Sequence, residues 1–293
     1  MNITAELVKE LRERTGGGLM ECKKALEAVG GDIEAAVKML RESGKAKADK
    51  KSGRIAAEGM IAVVLSPDEK TAIMMEVNCE TDFVAKDENF RQFANKVATL
   101  GLQAKVNDVD ALLALSVGGG ENKTVAELRQ ELVAKIGENI NIRRLILVSS
   151  ANLLAHYVHS GRIGVLVAFK GGDVALGKDI AMHVAASKPV ALSAIDLPQD
   201  ILAQEKAVYL AQVKDSGKPQ EIMEKMVQGR LQKFIDELTL LNQPFIKDQE
   251  IKVSSLLQKH NAEVTSFVRF EVGEGIEKGK TDFAAEVMAQ VKS

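Results

Sequence analysis

Two stretches of this chain follow the same grammar. Gly59-Met60-Ile61-Ala62-Val63-Val64-Leu65 and Gly161-Arg162-Ile163-Gly164-Val165-Leu166-Val167 each open on glycine and continue as an aliphatic, β-branched run. Such runs suit strands that are covered by the rest of the chain. The first is followed by a Ser66-Pro67-Asp68 turn and by Ala72 to Val77, which together predict a β-hairpin. A helix follows, marked by Phe90, Phe93, Ala94, Val97 and Leu100 and ending near Gly101. Around the second stretch, Arg143 to Val148 and Gly164 to Phe169 read as strands, and Asp179 to Ser187 as a helix stopped by Pro189. Two related halves of one α+β core are the simplest reading of this weak repeat.

The segments around these halves are helical. Leu7, Val8 and Leu11, then Leu19, Met20, Cys22, Ala25 and Leu26, then Ile33, Ala36, Val37 and Leu40 recur at helical spacing. Gly16-Gly17-Gly18 and Gly30-Gly31-Asp32 interrupt them, so residues 1–45 read as a small three-helix module. Residues 46–58, polar and largely basic, read as a linker. Thr124-Val125-Ala126-Glu127 has the form of a capping box and opens a helix to about Gly137. Residues 59–140 then form the first half of the core, and 141–198 with 242–275 form the second. Between the two parts of the second half, residues 199–241 read as two antiparallel helices around Ser216-Gly217-Lys218-Pro219, a protruding hairpin. Ser266 to Val272 reads as a strand, and Phe283 to Val291 as an amphipathic helix within a terminal module, residues 276–293.

Composition narrows the function by exclusion. Of the 293 residues, 39 are basic and 41 acidic, so no overall positive field points to nucleic acid or to an anionic membrane. The basic stretch Lys45 to Arg54 has no interleaved aromatic residue and reads as solvated linker rather than as a nucleic-acid patch. No apolar run spans a bilayer, and the amino terminus is amphipathic, unlike a signal peptide, so a cytoplasmic protein is expected. Cys22 and Cys79 suit neither a disulfide scaffold nor a metal site.

Three glycine-rich segments invite a nucleotide reading. Gly172 to Asp179 has the spacing of a phosphate-binding loop, but Asp179 stands where a hydroxyl must hold magnesium, and Asp173 adds a second carboxylate. Gly279-Lys280-Thr281 lacks its partner glycine, because Glu274 fills that place between Gly273 and Gly275. After Gly273-x-Gly275 too little chain remains for the crossover of a dinucleotide fold. Nor do His156, His159, His183 and His260 form a metal or nucleophile motif; His183 reads as a packed helix residue, with His156 and His159 in a polar loop. No catalytic residue, metal or cofactor is expected.

There remains Asn78-Cys79-Glu80-Thr81-Asp82-Phe83-Val84-Ala85-Lys86, where a strand ends before the next helix begins. Thr81 or Asp82 suits a turn cap, while Phe83 either folds beneath the turn or projects outward.

This segment resembles the elongation factor Ts family, the guanine nucleotide exchange factors of bacterial translation. The likeness extends over Leu11-Arg12-Glu13-Arg14-Thr15-Gly16 with Cys22 to Leu26, Glu76 to Ala85, and Lys135 to Ile140. It continues through Met182 to Ala186 and Arg269 to Gly275, all in one order. The resemblance implies a ubiquitin-associated-like amino-terminal domain, a two-part α+β core, an inserted coiled-coil hairpin and a carboxy-terminal helix. It also implies elongation factor Tu as partner. Asp82 and Phe83, flanked by Thr81 and Val84, would sit where the factor disturbs the magnesium ion of bound GDP. Arg12, Leu19 and Met20 would meet a helix of the partner's GTPase domain, and His159 would lie in a second contact loop. The hairpin is open to pairing with another copy, in a homodimer or a 2:2 complex, to touching the partner, or to both. Leu19 replaces a methionine usual in the family. Residues 107–123 match poorly and read as a mobile loop, and the residues after Val287 diverge.

Overall fold

The computed structural model describes residues 3–118, 121–214 and 219–277, in which helix and sheet are mixed. The chain divides into two compact units, one built from residues up to Val64, Ile73–Leu147 and those from Glu271, the other from Leu65–Ala72 and Val148–Phe270.

The first unit begins with helices α1 (Ala5–Thr15), α2 (Leu19–Ala28) and α3 (Ile33–Lys51). Thr4 and Asp32 cap α1 and α3 by accepting the free Leu7 and Ala35 N–H groups at 3.3 and 3.0 Å. Val8, Leu11, Cys22, Ala25, Leu26 and Ala36 form a small core of their own among the three. The third helix does not stop near residue 45. It runs through residues 46–51, half of the expected linker, because lysine and alanine favour helix and because Ala48 is buried against the unit's main core.

Strands β1 (Glu58–Leu65) and β2 (Thr71–Cys79) follow, then α4 (Asp82–Lys86), α5 (Glu88–Ala104) and α6 (Val109–Ala114). Next come the short strands β3 (Ser116–Gly118) and β4 (Glu121–Thr124), helix α7 (Val125–Ile136) and strand β5 (Asn141–Ser149). The sheet order is β1-β2-β5. Thus β5, which the sequence reading gives to the second half, pairs with the first hairpin. In α5 the Asp87 carboxylate caps Asn89 and Phe90, and Phe90, Phe93, Ala94, Val97 and Ala98 pack into the core with Ile73, Met75 and Val77 of β2. The capping box expected at Thr124 and Glu127 is present. Residues 107–123, expected as a mobile loop, carry α6, β3 and β4 in their described part, with Leu112 and Val117 buried.

The second unit holds β6 (Leu153–His159), β7 (Ile163–Lys170), α8 (Val174–Ser187), α9 (Gln199–Lys214) and α10 (Gln220–Leu238). Strands β8 (Pro244–Phe245) and β9 (Asp248–Lys252), helix α11 (Val253–Lys259) and strand β10 (Glu263–Glu271) complete it. Its sheet runs β10-β7-β6. His156 and His159, expected in a loop, lie in β6, which pairs antiparallel with β7 from Leu153 opposite Phe169 to His159 opposite Ile163. Helix α8 begins five residues before the expected start, capped by Asp173 on Leu176 N–H at 2.8 Å. Helices α9 and α10 pack side by side where the hairpin is expected, with Gln212 Oε1 accepting from Arg230 Nη1 at 2.8 Å. The expected carboxy-terminal helix lies outside the described residues.

The two units share a plan of hairpin, helix, and a later strand added to the hairpin's second strand. In that plan β7 corresponds to β2 rather than to β1, so the sequence likeness of Gly59–Leu65 to Gly161–Val167 is one strand out of step. Burial alone gives an edge strand and a central strand similar composition.

Candidate interaction site

Strand β2 ends at Cys79, and the chain turns through Glu80 and Thr81 into the five-residue helix α4. Thr81 is its N-cap, extended at φ −123°, ψ 156°, with its hydroxyl oxygen accepting from Val84 N–H at 3.4 Å. In so short a helix Val84 and Ala85 turn toward the unit's core while Asp82, Phe83 and Lys86 face solvent. The open question about Phe83 is thereby answered: its ring is 81% exposed. Asp82 Oδ2 accepts from Lys86 Nζ at 2.7 Å across one helical turn.

The turn is fastened from residues 138–139. Glu138 Oε2 accepts the Glu80 and Thr81 N–H groups at 3.1 and 3.0 Å, and Oε1 accepts the Thr81 hydroxyl at 2.6 Å. In return Glu80 Oε1 accepts Asn139 N–H at 2.6 Å, and Arg54 Nη1 lies 3.4 Å from the same oxygen. The side-chain Nδ2 of Asn139 donates to the Ser52 and Arg54 carbonyls at 3.3 and 2.8 Å. Beneath the turn, burial, with Glu138 and Glu58 nearby, pushes the Cys79 thiol up to about 12. It therefore stays protonated at neutral pH and donates to the Thr81 carbonyl, Sγ to O 3.1 Å.

Arg12 lies in the last turn of α1, and Leu19 and Met20 open α2, in the same unit. All three are exposed, Leu19 and Met20 at 58% and 62%. Gly18 precedes α2 without any side-chain cap, and the two large apolar side chains on the first turn stand in water. Arg12 also borders a cleft of about 670 Å³ that is lined by Gly17, Arg41, Lys45, Glu131 and Lys135 among others. His159 belongs to the second unit, where it is exposed at the end of β6 with Nδ1 3.0 Å from the Tyr157 hydroxyl. Thr81 to Val84 thus form one turn, Arg12 lies on α1 with Leu19 and Met20 at the start of α2, and His159 is a separate position on the other unit.

Residues considered for other chemistries are engaged in structure. Asp173 occupies the N-cap of α8, Asp179 Oδ1 accepts from Lys247 Nζ at 2.6 Å, and Gly177 is pressed against Phe169 and Ala155. In the basic stretch, Lys47 pairs with Glu21, and Lys51 Nζ donates to the Gly137 carbonyl at 2.5 Å. Among the described residues no cluster of His, Cys, Asp and Glu could hold a metal ion, and no helix is long and apolar enough to cross a membrane.

The residue that sequence reasoning left without a role is Glu138. It stands in the matched segment Lys135 to Ile140, directly after the left-handed C-cap Gly137 at φ 90°. Its partners are 57 and 58 residues away in sequence, beyond the reach of any local pattern.

A family profile described as "Elongation factor TS" matches residues 80–274. Elongation factor Ts of Legionella pneumophila strain Lens is 55% identical over 291 residues, 99% of each chain. That of Methylococcus capsulatus strain Bath is 56% identical over 294 residues, covering both chains fully. The Nitrosomonas eutropha protein is 53% identical over 289 residues, 99% of this chain and 98% of its own.

Proposed function

The chain belongs to the elongation factor Ts family, a family of translation elongation factors, and from that premise we propose that it is a guanine nucleotide exchange factor. It binds elongation factor Tu carrying GDP, in the cytoplasm, and speeds GDP release without catalytic residues, metal or cofactor of its own. The observation that carries this reading is the outward Phe83 on a turn fixed to its own scaffold. A large apolar side chain kept in water forgoes the roughly 2–3 kcal/mol that its burial would contribute, which suits a residue that is buried by a partner instead. In this reading the three helices up to Lys51 are the ubiquitin-associated-like module and α9 with α10 form the coiled-coil hairpin.

The mechanism follows from what magnesium does in a GTPase, which is to bridge the nucleotide phosphates to the protein. Asp82 and Phe83, flanked by Thr81 and Val84, push on the groups that hold that ion, so both it and GDP loosen. A thousandfold acceleration needs the barrier lowered by about 4 kcal/mol. Burying one phenyl ring cannot supply all of it. The remainder comes from Arg12, Leu19, Met20 and His159, which keep the wedge seated and favour the nucleotide-free partner. Linkage makes the coupling reciprocal, so that incoming GTP expels the factor.

Val208, Leu210 and Ile222 are exposed on α9 and α10, which supports a role for this pair in joining a second copy, as a homodimer or a 2:2 complex, or in touching the partner. Sedimentation of the free protein and of its complex distinguishes these uses. Stopped-flow release of fluorescent GDP from elongation factor Tu tests the main reading. The intact chain accelerates release; a chain that leaves the rate at its spontaneous value is not an exchange factor.

A further inference from the structure

The turn bearing Phe83 has little to hold it in place apart from polar contacts. Helix α4 contains no buried residue and is far shorter than a helix that persists unaided. Its apolar anchors, Val84 and Ala85, are only partly buried. Turning Phe83 inward would remove its ring from water, so the hydrophobic effect pulls the turn toward collapse onto the core. Opposing that collapse are the carboxylates of Glu138 and Glu80, each accepting backbone N–H groups of the other's loop.

We propose that Glu138 and Glu80 are positioning residues, a reciprocal clasp that holds the Thr81–Phe83 turn with the ring directed outward before any partner arrives. Glu138 does more than tie two strands of chain together. Its Oε1 accepts the hydrogen bond donated by the Thr81 hydroxyl, which leaves the hydroxyl lone pairs facing Val84 N–H, so the carboxylate sets the cap that starts α4. Its Oε2 takes two further N–H groups, and bonds to an ionised acceptor are stronger than neutral ones. Glu80, through Asn139 N–H and Arg54, prevents residues 138–139 from moving away with Glu138. Three separated segments, 52–54, 80–81 and 138–139, are thereby fixed to one another.

This inference rests on the exchange reading only for its functional consequence; the ordering of the turn is measurable in the free protein. Two readouts are therefore taken on the full chain: amide hydrogen exchange at residues 82–85, and GDP release from elongation factor Tu. Glu138→Ala is expected to raise amide exchange there and to slow GDP release about tenfold, the effect of losing one to two good hydrogen bonds. Glu138→Gln keeps an acceptor for the two backbone N–H groups but not for the Thr81 hydroxyl, so it is expected to recover part of both, which also covers a failure of the alanine variant to fold. The deciding comparison is made in a Phe83→Ala background. If Glu138 acts through the ring, Glu138→Ala slows release no further there, although it lowers the melting temperature equally in both backgrounds. Equal slowing in both backgrounds, or unchanged amide exchange at 82–85, overturns the proposal. Should Phe83→Ala itself leave release unaltered, the ring is not the wedge, and the amide data alone uphold or overturn the clasp; should the intact chain not accelerate release, the exchange reading fails.

Discussion

Arg144 places its Nε 2.5 Å from Oε2 of Glu76, a carboxylate wholly withdrawn from solvent. Arg143 Nη1 lies 3.1 and 3.3 Å from its two oxygens, and Asn78 Nδ2 and Gly273 N–H donate at 3.1 and 2.8 Å. The same guanidiniums hold the Glu274 and Glu271 carbonyls, so this network fastens the chain beyond β10 to the first sheet's unit. Burial by itself raises the Glu76 carboxyl, but the Gly273 N–H, Asn78 and Arg144 outweigh it and leave the group below its ordinary value of 4.5.

Glu76→Ala is expected to destabilise the protein by about 1–3 kcal/mol, since it removes the one carboxylate that Arg143, Arg144, Asn78 and the Gly273 N–H share. Urea unfolding at neutral pH measures this. A depressed carboxyl stabilises the fold above its unfolded value, and that contribution is lost as pH falls below 4.5 through the lowered folded value. Glu76→Gln should therefore lose less stability than the parent over that acid range. Parallel losses would show that Glu76 is not the titrating group.

Phe83→Ala is expected to leave stability within about 0.5 kcal/mol, because so exposed a ring contributes little to the fold. It should slow GDP release from elongation factor Tu strongly. A calorimetric melt beside the stopped-flow trace separates the two effects. A large drop in melting temperature with normal release would assign Phe83 to folding instead.

His183 supplies a second pH signature, in the second unit. The ring is buried, its Nδ1 accepts Ile246 N–H at 3.2 Å, and so Nε2 carries the proton donated to Gln243 Oε1 at 2.9 Å. Burial pulls the imidazole below its ordinary 6.5, against a smaller upward pull from Gln243. The stability it contributes is complete above 6.5 and drains away as pH falls through the lowered value. His183→Gln should be weaker at neutral pH by about 1–3 kcal/mol, having left the Ile246 N–H without its acceptor. Its stability should also change less through that window, and unfolding curves at stepped pH test this.

Gly177→Ala is expected to cost about 1–3 kcal/mol. A β-carbon there would stand 2.6 Å from Phe169 Cε1 and 2.7 Å from Ala155 Cβ, so α8 would have to lift from β6 and β7. The glycine that lends this segment its phosphate-loop look is thus explained by helix-on-sheet packing. An alanine variant of undiminished stability would refute that account.

What could be read from the sequence was local, and what could not was set by distant partners. Asp32, Thr124 and the Phe90-to-Val97 spacing announced their helices, because caps and periodicity act within a few residues. Strand β6 was missed because His156 and His159 give it a polar look, although its pairing with the apolar β7 makes it a strand. No motif indicated that β5 joins β2, or that Lys51 reaches the Gly137 carbonyl and so continues α3 where a linker is expected. At the site, a cap at Thr81 or Asp82 was legible, whereas the residues alone left the direction of Phe83 open and gave no sign of Glu138, which bonds to Thr81 from far along the chain.

The long third helix has a mechanical consequence. Gly44 and Ala48 let α3 lie close along α7, and the Gly44 position has room for no more than ordinary contact with Ala134. The Leu19–Met20 corner is therefore mounted on the same strut system as Phe83, and no floppy tether separates them. A protein that grips both places at once meets a gauge of set span, and sacrifices little disorder in closing on it.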